Sequence, residues 1–336
     1  MISTIETPPL DVPFDIVRAA HLELFVTDLA ASRRFYVELL GLHVSEQSDD
    51  ALYLRGFEER HHHSLVLRQG PQAKVGHLSF LVRTPACLEA LERHFADSGC
   101  TPTFVEGAEP GQGTALRVRD ELGFPLEFVH ELGQAESLLR RFHEHRGAHI
   151  QRLDHFNLHV PDVEAAFPVW RARGFRCSEF ISTDPPDERL WAVWLYRKPD
   201  VHDVALMNGR GPRLHHVGFW VAESQSVLRA CDILAAAGEA ARIERGPGRH
   251  GVSNAFFLYT RDPDGHRIEL YTSDYYTGDP DLVPLRWSAT DPQRGTFWGH
   301  RAPASWFEES SSLADGDGGT VATRPPLLPV ITDIGS

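Results

Sequence analysis

The sequence predicts an α+β protein built from four βαβββ modules arranged as two pairs. Three observations predict this. A strand-like run followed by a capped helix and a stop glycine occurs four times. The second pair of runs aligns with the first. Residues able to ligate a metal fall at equivalent strand positions in both halves.

The first module opens at Ile16, and His21–Val26 alternates as a strand. Thr27-Asp28 caps a helix over Leu29–Leu40, with Phe35, Tyr36, Leu39 and Leu40 near one face and Gly41 as its stop. Strands are predicted at 42–46, 51–55 and 63–68. The second module starts with His77–Val82; Thr84-Pro85 then opens a helix to Ser98, which Gly99 ends, and strands follow near 102–106, 113–119 and 124–130. The third starts at Asp154–Val160, with a helix from Pro161-Asp162 to Arg173 closed by Gly174. The fourth starts at His216–Val221, with a helix to Ala237 and Gly238. The implied organisation is an N-terminal paired-module domain over 16–132, a linker helix over 133–149 and a C-terminal catalytic paired-module domain over 150–275. An aromatic tail over 276–309 packs back over the site, and the Ser/Gly/Asp-rich stretch 310–336 reads as a flexible tail. The Pro-rich residues 1–15 read as a flexible arm.

A chain of 336 residues can bury two sizeable cores. Its net charge of −14 argues against non-specific nucleic-acid binding, so an anionic ligand needs a local cluster of Arg and His. Cys87, Cys100, Cys177 and Cys231 form no CxxC pair and read as reduced thiols. There is no apolar run of about 18 residues and no basic-then-apolar start, so the expected location is the cytoplasm. Many of the 19 histidines need no special role, and His61-His62-His63 is compatible with a solvated turn.

Laying Ile16–Val129 over His149–Tyr271 pairs His21 with His155, His77 with His216 and Glu127 with Glu269. His63 falls opposite His202. A single strand histidine is ordinarily a hydrogen-bonded core residue, but this set is hard to obtain by chance. Two histidines and one carboxylate make a facial triad, which suits non-haem Fe(II) and leaves three positions open. The halves differ around it: Glu23 stands opposite Asn157, and Arg117 opposite Tyr259. An Arg is repelled by a metal cation and cannot donate and accept as a phenol does. The first half is therefore expected to be a metal-free relic of duplication.

These residues resemble the type I extradiol dioxygenases of the vicinal oxygen chelate superfamily, over roughly Ile16 to Phe307. The long segments that carry the resemblance are Arg152–Asn157, Val201–Leu206, Gly211–Val217, Glu244–Asn254 and Ile268–Pro280. The resemblance implies a glyoxalase-like fold with His155, His216 and Glu269 holding Fe(II), or Mn(II) in some relatives. It implies that His202 is the acid/base, that Tyr259 and Asn157 hydrogen-bond beside the substrate and oxygen sites, and that Trp194, Arg245, His250 and Arg294 surround the substrate. It further implies a homotetramer that uses O2 to cleave 3,4-dihydroxyphenylacetate to 5-carboxymethyl-2-hydroxymuconate semialdehyde. One departure stands out: the family's tail carries two adjacent arginines where this chain has Arg294-Gly295. That keeps open another substituted catechol such as protocatechuate. A non-catalytic ligand-binding protein on the same fold is the reading from a different class; His202, Tyr259 and Asn157 argue against it. A glyoxalase-like enzyme would draw its ligands from both modules' interface, and the triad within one half argues otherwise.

Overall fold

The computed structural model describes residue 5, residues 11–316 and residues 318–332. The N-terminal half contains β1 (Ile16–Val26), β2 (His43–Gln47), β3 (Ala51–Arg55), β4 (Leu65–Gln69), β5 (Lys74–Val82), β6 (Thr103–Glu106), β7 (Thr114–Arg119) and β8 (Pro125–Val129). They form one sheet in the order β2-β3-β4-β1-β5-β8-β7-β6. The C-terminal half repeats it with β9 (Ile150–Val160), β10 (Arg176–Ser182), β11 (Leu190–Tyr196), β12 (Val204–Asn208), β13 (Arg213–Val221), β14 (Ile243–Arg249), β15 (Phe256–Arg261) and β16 (Arg267–Thr272). Their order is β14-β15-β16-β13-β9-β12-β11-β10, with β17 (Leu285–Ser288) added beside β10.

In each module the first strand pairs in parallel with the last, as β1 does with β4 and β13 with β16. The two modules of a half meet through their antiparallel first strands, β1 with β5 and β9 with β13. The four-module architecture expected from the sequence is thus the one observed. Helices α2 (Ala86–Asp97), α3 (Val163–Ala172) and α4 (Ser224–Ala236) fall where the caps and stop glycines put them. Asp162 caps α3 by accepting from the Ala165 amide at 3.1 Å. The first helix begins as α1 (Leu29–Arg33), capped by Asp28, and finishes as a π-helical turn over Arg34–Leu39. The halves share a core in which Phe80 meets Phe156 and Trp170 edge-on at 5.7 Å.

Three sequence expectations are corrected. Residues 133–149 form no linker helix; they hold only a 3-10 turn at Phe142–Glu144. Gly133 and Gly147 lie in left-handed backbone conformations, and the Ala135 and Ala148 amides bond to the carbonyls of Arg60 and Leu40 rather than within a helix. The described part of 310–332 is not a loose tail: it bridges Leu214 through Ser311, Val75 through Leu313 and Gly211 through Arg324, and Leu313 is buried. Residues 333–336 lie outside the described residues. Of the N-terminal arm, 1–4 and 6–10 lie outside them too, but Phe14 is buried and Asp15 pairs with Arg83 and Arg197. Polar composition hid both segments because their backbone groups are matched by distant partners. No described helix is long and apolar enough to cross a membrane.

The tail is tied down near the site by one ion network. Glu244 takes Arg267 at 2.6 Å and Arg261 at 2.7 Å, and Ser305 at the start of α5 (Ala304–Glu308) donates to it at 2.7 Å. Arg267 is fully buried and also donates to the carbonyls of Ser305 and Glu309. Burial alone would raise the Glu244 carboxyl, but hydrogen bonds from Arg267 and Arg261 outweigh it and hold it at about 2, below its ordinary 4.5. Because the folded value is the lower one, this stabilisation is complete above about pH 4.5 and is lost as pH falls through about 2. Glu244→Gln is expected to destabilise the fold by about 3 kcal/mol at pH 7, since it leaves a buried guanidinium without its partner. Urea unfolding from pH 7 down to pH 3 should show the gap between variant and wild type narrowing; a gap that is absent at pH 7 or constant with pH contradicts the role.

Candidate active site

Strand register builds the site. On three neighbouring strands, His155 of β9, Gly218 of β13 and Glu269 of β16 lie directly opposite one another. His216 is two residues before Gly218 and so points to the same face. The result is a triangle: His155 Nε2 is 3.0 Å from Glu269 Oε2, His216 Nε2 is 3.1 Å from the same oxygen, and the two imidazole nitrogens are 3.3 Å apart. All three residues are buried. Gly218 makes room for the triangle. A Cβ there would sit 2.1 Å from His155 Cε1.

The outer hydrogen bonds set both rings for ligation. His155 Nδ1 meets Asp154 Oδ2 at 3.0 Å, so Nδ1–H donates there and Nε2 keeps a lone pair facing inward. Asp154 is fully buried, accepts from the Tyr271 hydroxyl and lies 3.5 Å from Lys198 Nζ. Its burial alone would raise it; Lys198 and then His155 outweigh that and hold the carboxyl well below its ordinary range. His215 Nε2 bonds the Trp306 carbonyl at 2.9 Å, which makes it the donor. His215 Nδ1 then accepts from His216 Nδ1–H at 2.7 Å, and His216 Nε2 is also left with an inward lone pair. Burial brings His216 down to about 4, toward the neutral form a ligand needs. Burial also opposes charge on His155, but Asp154 and Glu269 outweigh it and push that ring up to about 9, so without a metal Nε2 shares a proton with Glu269, and a bound metal would take that proton's place on the Nε2 lone pair. Two inward imidazole lone pairs and a carboxylate oxygen, with ligand atoms all within 4.8 Å of one another, fit a divalent metal.

The remaining predicted residues gather at this triangle. A cavity of about 680 Å³ is lined by all ten of them: His155, Asn157, Trp194, His202, His216, Arg245, His250, Tyr259, Glu269 and Arg294. The His202 ring lies 3.9 Å from that of His155, and burial, followed by the neighbouring His155, holds it well below its ordinary pKa. His202 Nδ1 and Asn157 Oδ1 are buried with no hydrogen-bond partner among the described residues. His250 Nε2 is 2.9 Å from the Tyr259 hydroxyl, and its Nδ1 bonds the Gly295 carbonyl. Burial and then the Glu269 carboxylate hold Tyr259 well above its ordinary pKa, so it stays protonated. Arg245 donates to the Gly295 carbonyl and to Thr296, and stacks 4.5 Å over Trp306. Arg294 donates to the carbonyls of Asp291 and Ile331.

Part of the cavity went unread in the sequence. Trp191, Met207, Ile181 and Val252 wall it, and Ile331 enters from the tail. Trp306 and Phe307 line it as the aromatic tail led one to expect, whereas Tyr276, Phe297 and Trp298 are half or more exposed. The Asp-His pair at 154–155 and the glycine two residues after His216 were signals available in the sequence.

In the first half, His21, His77 and Glu127 occupy the same register, with Ser79 in place of Gly218. Their potential ligand atoms also lie within 4.8 Å of one another. Here Glu127 is already occupied: Ser79 donates at 3.0 Å, Gln112 at 2.8 Å and Arg117 Nε at 2.8 Å. His63, read as part of a solvated turn, is fully buried against His21 at 4.8 Å.

A family model described as the Glyoxalase/Bleomycin resistance protein/Dioxygenase superfamily matches residues 18–128 and 152–270. The chain belongs to that family, and within it to the extradiol ring-cleaving dioxygenases. It is 31% identical over 299 residues to a manganese-dependent 2,3-dihydroxybiphenyl 1,2-dioxygenase of Geobacillus genomosp. 3, covering 84% of this chain and 94% of that protein. It is 30% identical to a metapyrocatechase of Geobacillus stearothermophilus, covering 88% and 93%. Among solved structures, the anaerobic complex of Brevibacterium fuscum homoprotocatechuate 2,3-dioxygenase with 3,4-dihydroxyphenylacetate superposes with a TM-score of 0.91 at 46% identity, over 95% of this chain and all of that one. These enzymes are metal-dependent dioxygenases acting on catechols, and the readings of a ligand-binding protein or an isomerase are set aside.

The register argument gives a sharp expectation. Gly218→Ala places a methyl group against the His155 ring. Metal affinity should fall by about tenfold or more, with the ring-cleavage rate, because a ligand can no longer hold its orientation. Metal content by elemental analysis, alongside circular dichroism to confirm the fold, checks this; full metal occupancy in a folded variant would show that the glycine is not needed.

Proposed function

We propose that the enzyme cleaves 3,4-dihydroxyphenylacetate beside its paired hydroxyls, with Fe(II) held by His155, His216 and Glu269, to 5-carboxymethyl-2-hydroxymuconate semialdehyde. The observation that supports this most is the set of groups converging on the triangle: the unpartnered atoms of His202 and Asn157, the guanidiniums of Arg245 and Arg294, and the His250 ring, which burial keeps neutral. The bound metal supplies Lewis acidity toward the catechol hydroxyls and a place for O2 beside the ring.

The protein residues do the rest. Trp194 and Trp191 form walls that orient the ring. Arg245 and Arg294, each with a backbone carbonyl fixing its guanidinium, face the ring substituent and suit a carboxylate. Gly295 offers no second cation beside Arg294. This is why protocatechuate or another substituted catechol stays the second reading. His202, kept neutral by burial, accepts a proton at its ring nitrogen from a catechol hydroxyl and returns it to the oxygen-derived group before the ring opens. Tyr259 stays protonated, and its hydroxyl proton, which is donated to His250 Nε2 in the free site, turns to the negative oxygen that develops near Glu269. Asn157 Oδ1, with no hydrogen-bond partner among the described residues, is an acceptor in the lining of the same cavity. The reading extends to 16–132 as a metal-free domain, 150–275 as the catalytic one, a cytoplasmic location and a homotetramer. The scattered unpaired thiols and the resemblance support these last points.

Two experiments test the reading. Fe(II) is loaded anaerobically, a catechol and air are added, and yellow product is followed for 3,4-dihydroxyphenylacetate, protocatechuate and catechol. The highest kcat/KM is expected for the first; a preference for unsubstituted catechol removes the carboxylate-binding role of Arg245 and Arg294. His202→Phe should retain metal and slow ring cleavage by about 100-fold or more, whereas Glu269→Gln should lose the metal itself. Unchanged turnover in the first variant, or full metal content in the second, contradicts the corresponding role.

A further inference from the structure

The N-terminal half has its own cavity, about 1140 Å³ with the open solvent in its mouth included, lined on one side by Ala314, Gly316 and Gly318 of the tail. Its lining includes Glu23, His77 and Arg117, the counterparts of Asn157, His216 and Tyr259 in the catalytic cavity. So the duplication preserved the place of the cavity as well as the triangle beneath it. What changed is the charge. In the first half a guanidinium stands beside the carboxylate of the triangle, and Ser79 and Gln112 take up its other oxygen.

Two further cations line the same space. Lys74 Nζ donates to the carbonyls of Gly318 and Gly319 at 2.9 and 3.0 Å, and Arg119 donates to those of Gly123 and Ala314 at 3.3 and 3.2 Å. Neither forms an ion pair with a carboxylate among the described residues, where their hydrogen-bond partners are backbone oxygens. The one carboxylate in the described lining, Glu23, is engaged by Arg68 at 2.7 Å and by His77 at 3.1 Å. In a chain of net charge −14 this is a local concentration of positive charge inside a concave, low-dielectric wall. Phe25, Pro71 and Pro125 give the cavity apolar faces as well, Pro125 lying on the same face of its strand as Glu127.

We propose that this cavity is a second, non-catalytic site that binds a small aromatic carboxylate. Arg117, Arg119 and Lys74 face the carboxylate, and the ring lies on Phe25, Pro71 and Pro125. A guanidinium pairs strongly and directionally with a carboxylate, and a pocket of this mixed character is what a ring bearing one anionic group requires. The site does not depend on the choice of catechol in the catalytic half. It replaces a cation-holding centre with an anion-holding one on the same strand framework.

The test uses phenylacetate, which lacks the paired hydroxyls of a catechol, titrated calorimetrically into the metal-loaded full-length enzyme. Arg119→Gln, Arg117→Gln and the cavity-filling Thr103→Trp are compared with wild type. Catechol cleavage serves as the control for folding, and is expected to stay within about twofold because none of these residues lines the catalytic cavity. Each variant should bind one phenylacetate fewer per chain than wild type. Arg119→Gln keeps the test valid if Arg117→Gln unfolds, since Arg119 makes no contact with Glu127. The same stoichiometry and affinity in wild type and the cleavage-competent variants, or no saturable binding to wild type, overturns the proposal.

Discussion

One row of residues across three strands, His155, Gly218 and Glu269, is what the site depends on. A strand alternates its faces, so a slip of one residue in either pairing would turn a ligand away from the others. The parallel pairing of β13 with β16 and the antiparallel pairing of β9 with β13 are consequences of the module order. Metal binding is therefore a property of the paired-module architecture. The glycine at the centre of the row lets the His155 ring close over it. In the other half a serine stands there, and its hydroxyl occupies the carboxylate.

Around that row the structure fixes protons. Asp154 and His215 each take up the Nδ1 side of a ligand histidine, which leaves both Nε2 atoms facing inward. His215 is held in turn by the carbonyl of Trp306. The tail thus reaches the metal ligands through two hydrogen bonds, and Arg267 and Glu244 hold that part of the tail in place. Cavity wall, ligand tautomer and tail position form one connected structure.

The two halves show how little backbone change separates different chemistries. Both keep two histidines and a glutamate within the same spacing. One surrounds them with a phenol, an amide and a neutral imidazole; the other with a guanidinium, a carboxamide and a hydroxyl. The first set leaves the carboxylate available to a cation. The second satisfies it internally and turns the cavity above toward anions.

Much of this was legible in the chain. The four modules, the later strands of the first half to within two residues and the two histidines and glutamate that meet in the triangle follow from alternation, caps, stop glycines and the register between halves, all of which are local or repeated patterns, although each module's first strand begins three to five residues earlier than alternation alone shows. The sequence by itself determined the module architecture and the ligand types, because periodicity and duplication are written along the chain. It did not determine that 133–149 lacks an α-helix, that Ser311, Leu313 and Arg324 bridge to both halves, or that Ile331 and Trp191 wall the cavity. Nor did it show that β17 would extend the second sheet, or that Glu127 is already hydrogen-bonded. Those features are set by partners far apart in sequence. Only the tertiary structure decides which backbone amide, carbonyl or charged group is left for such a segment to meet.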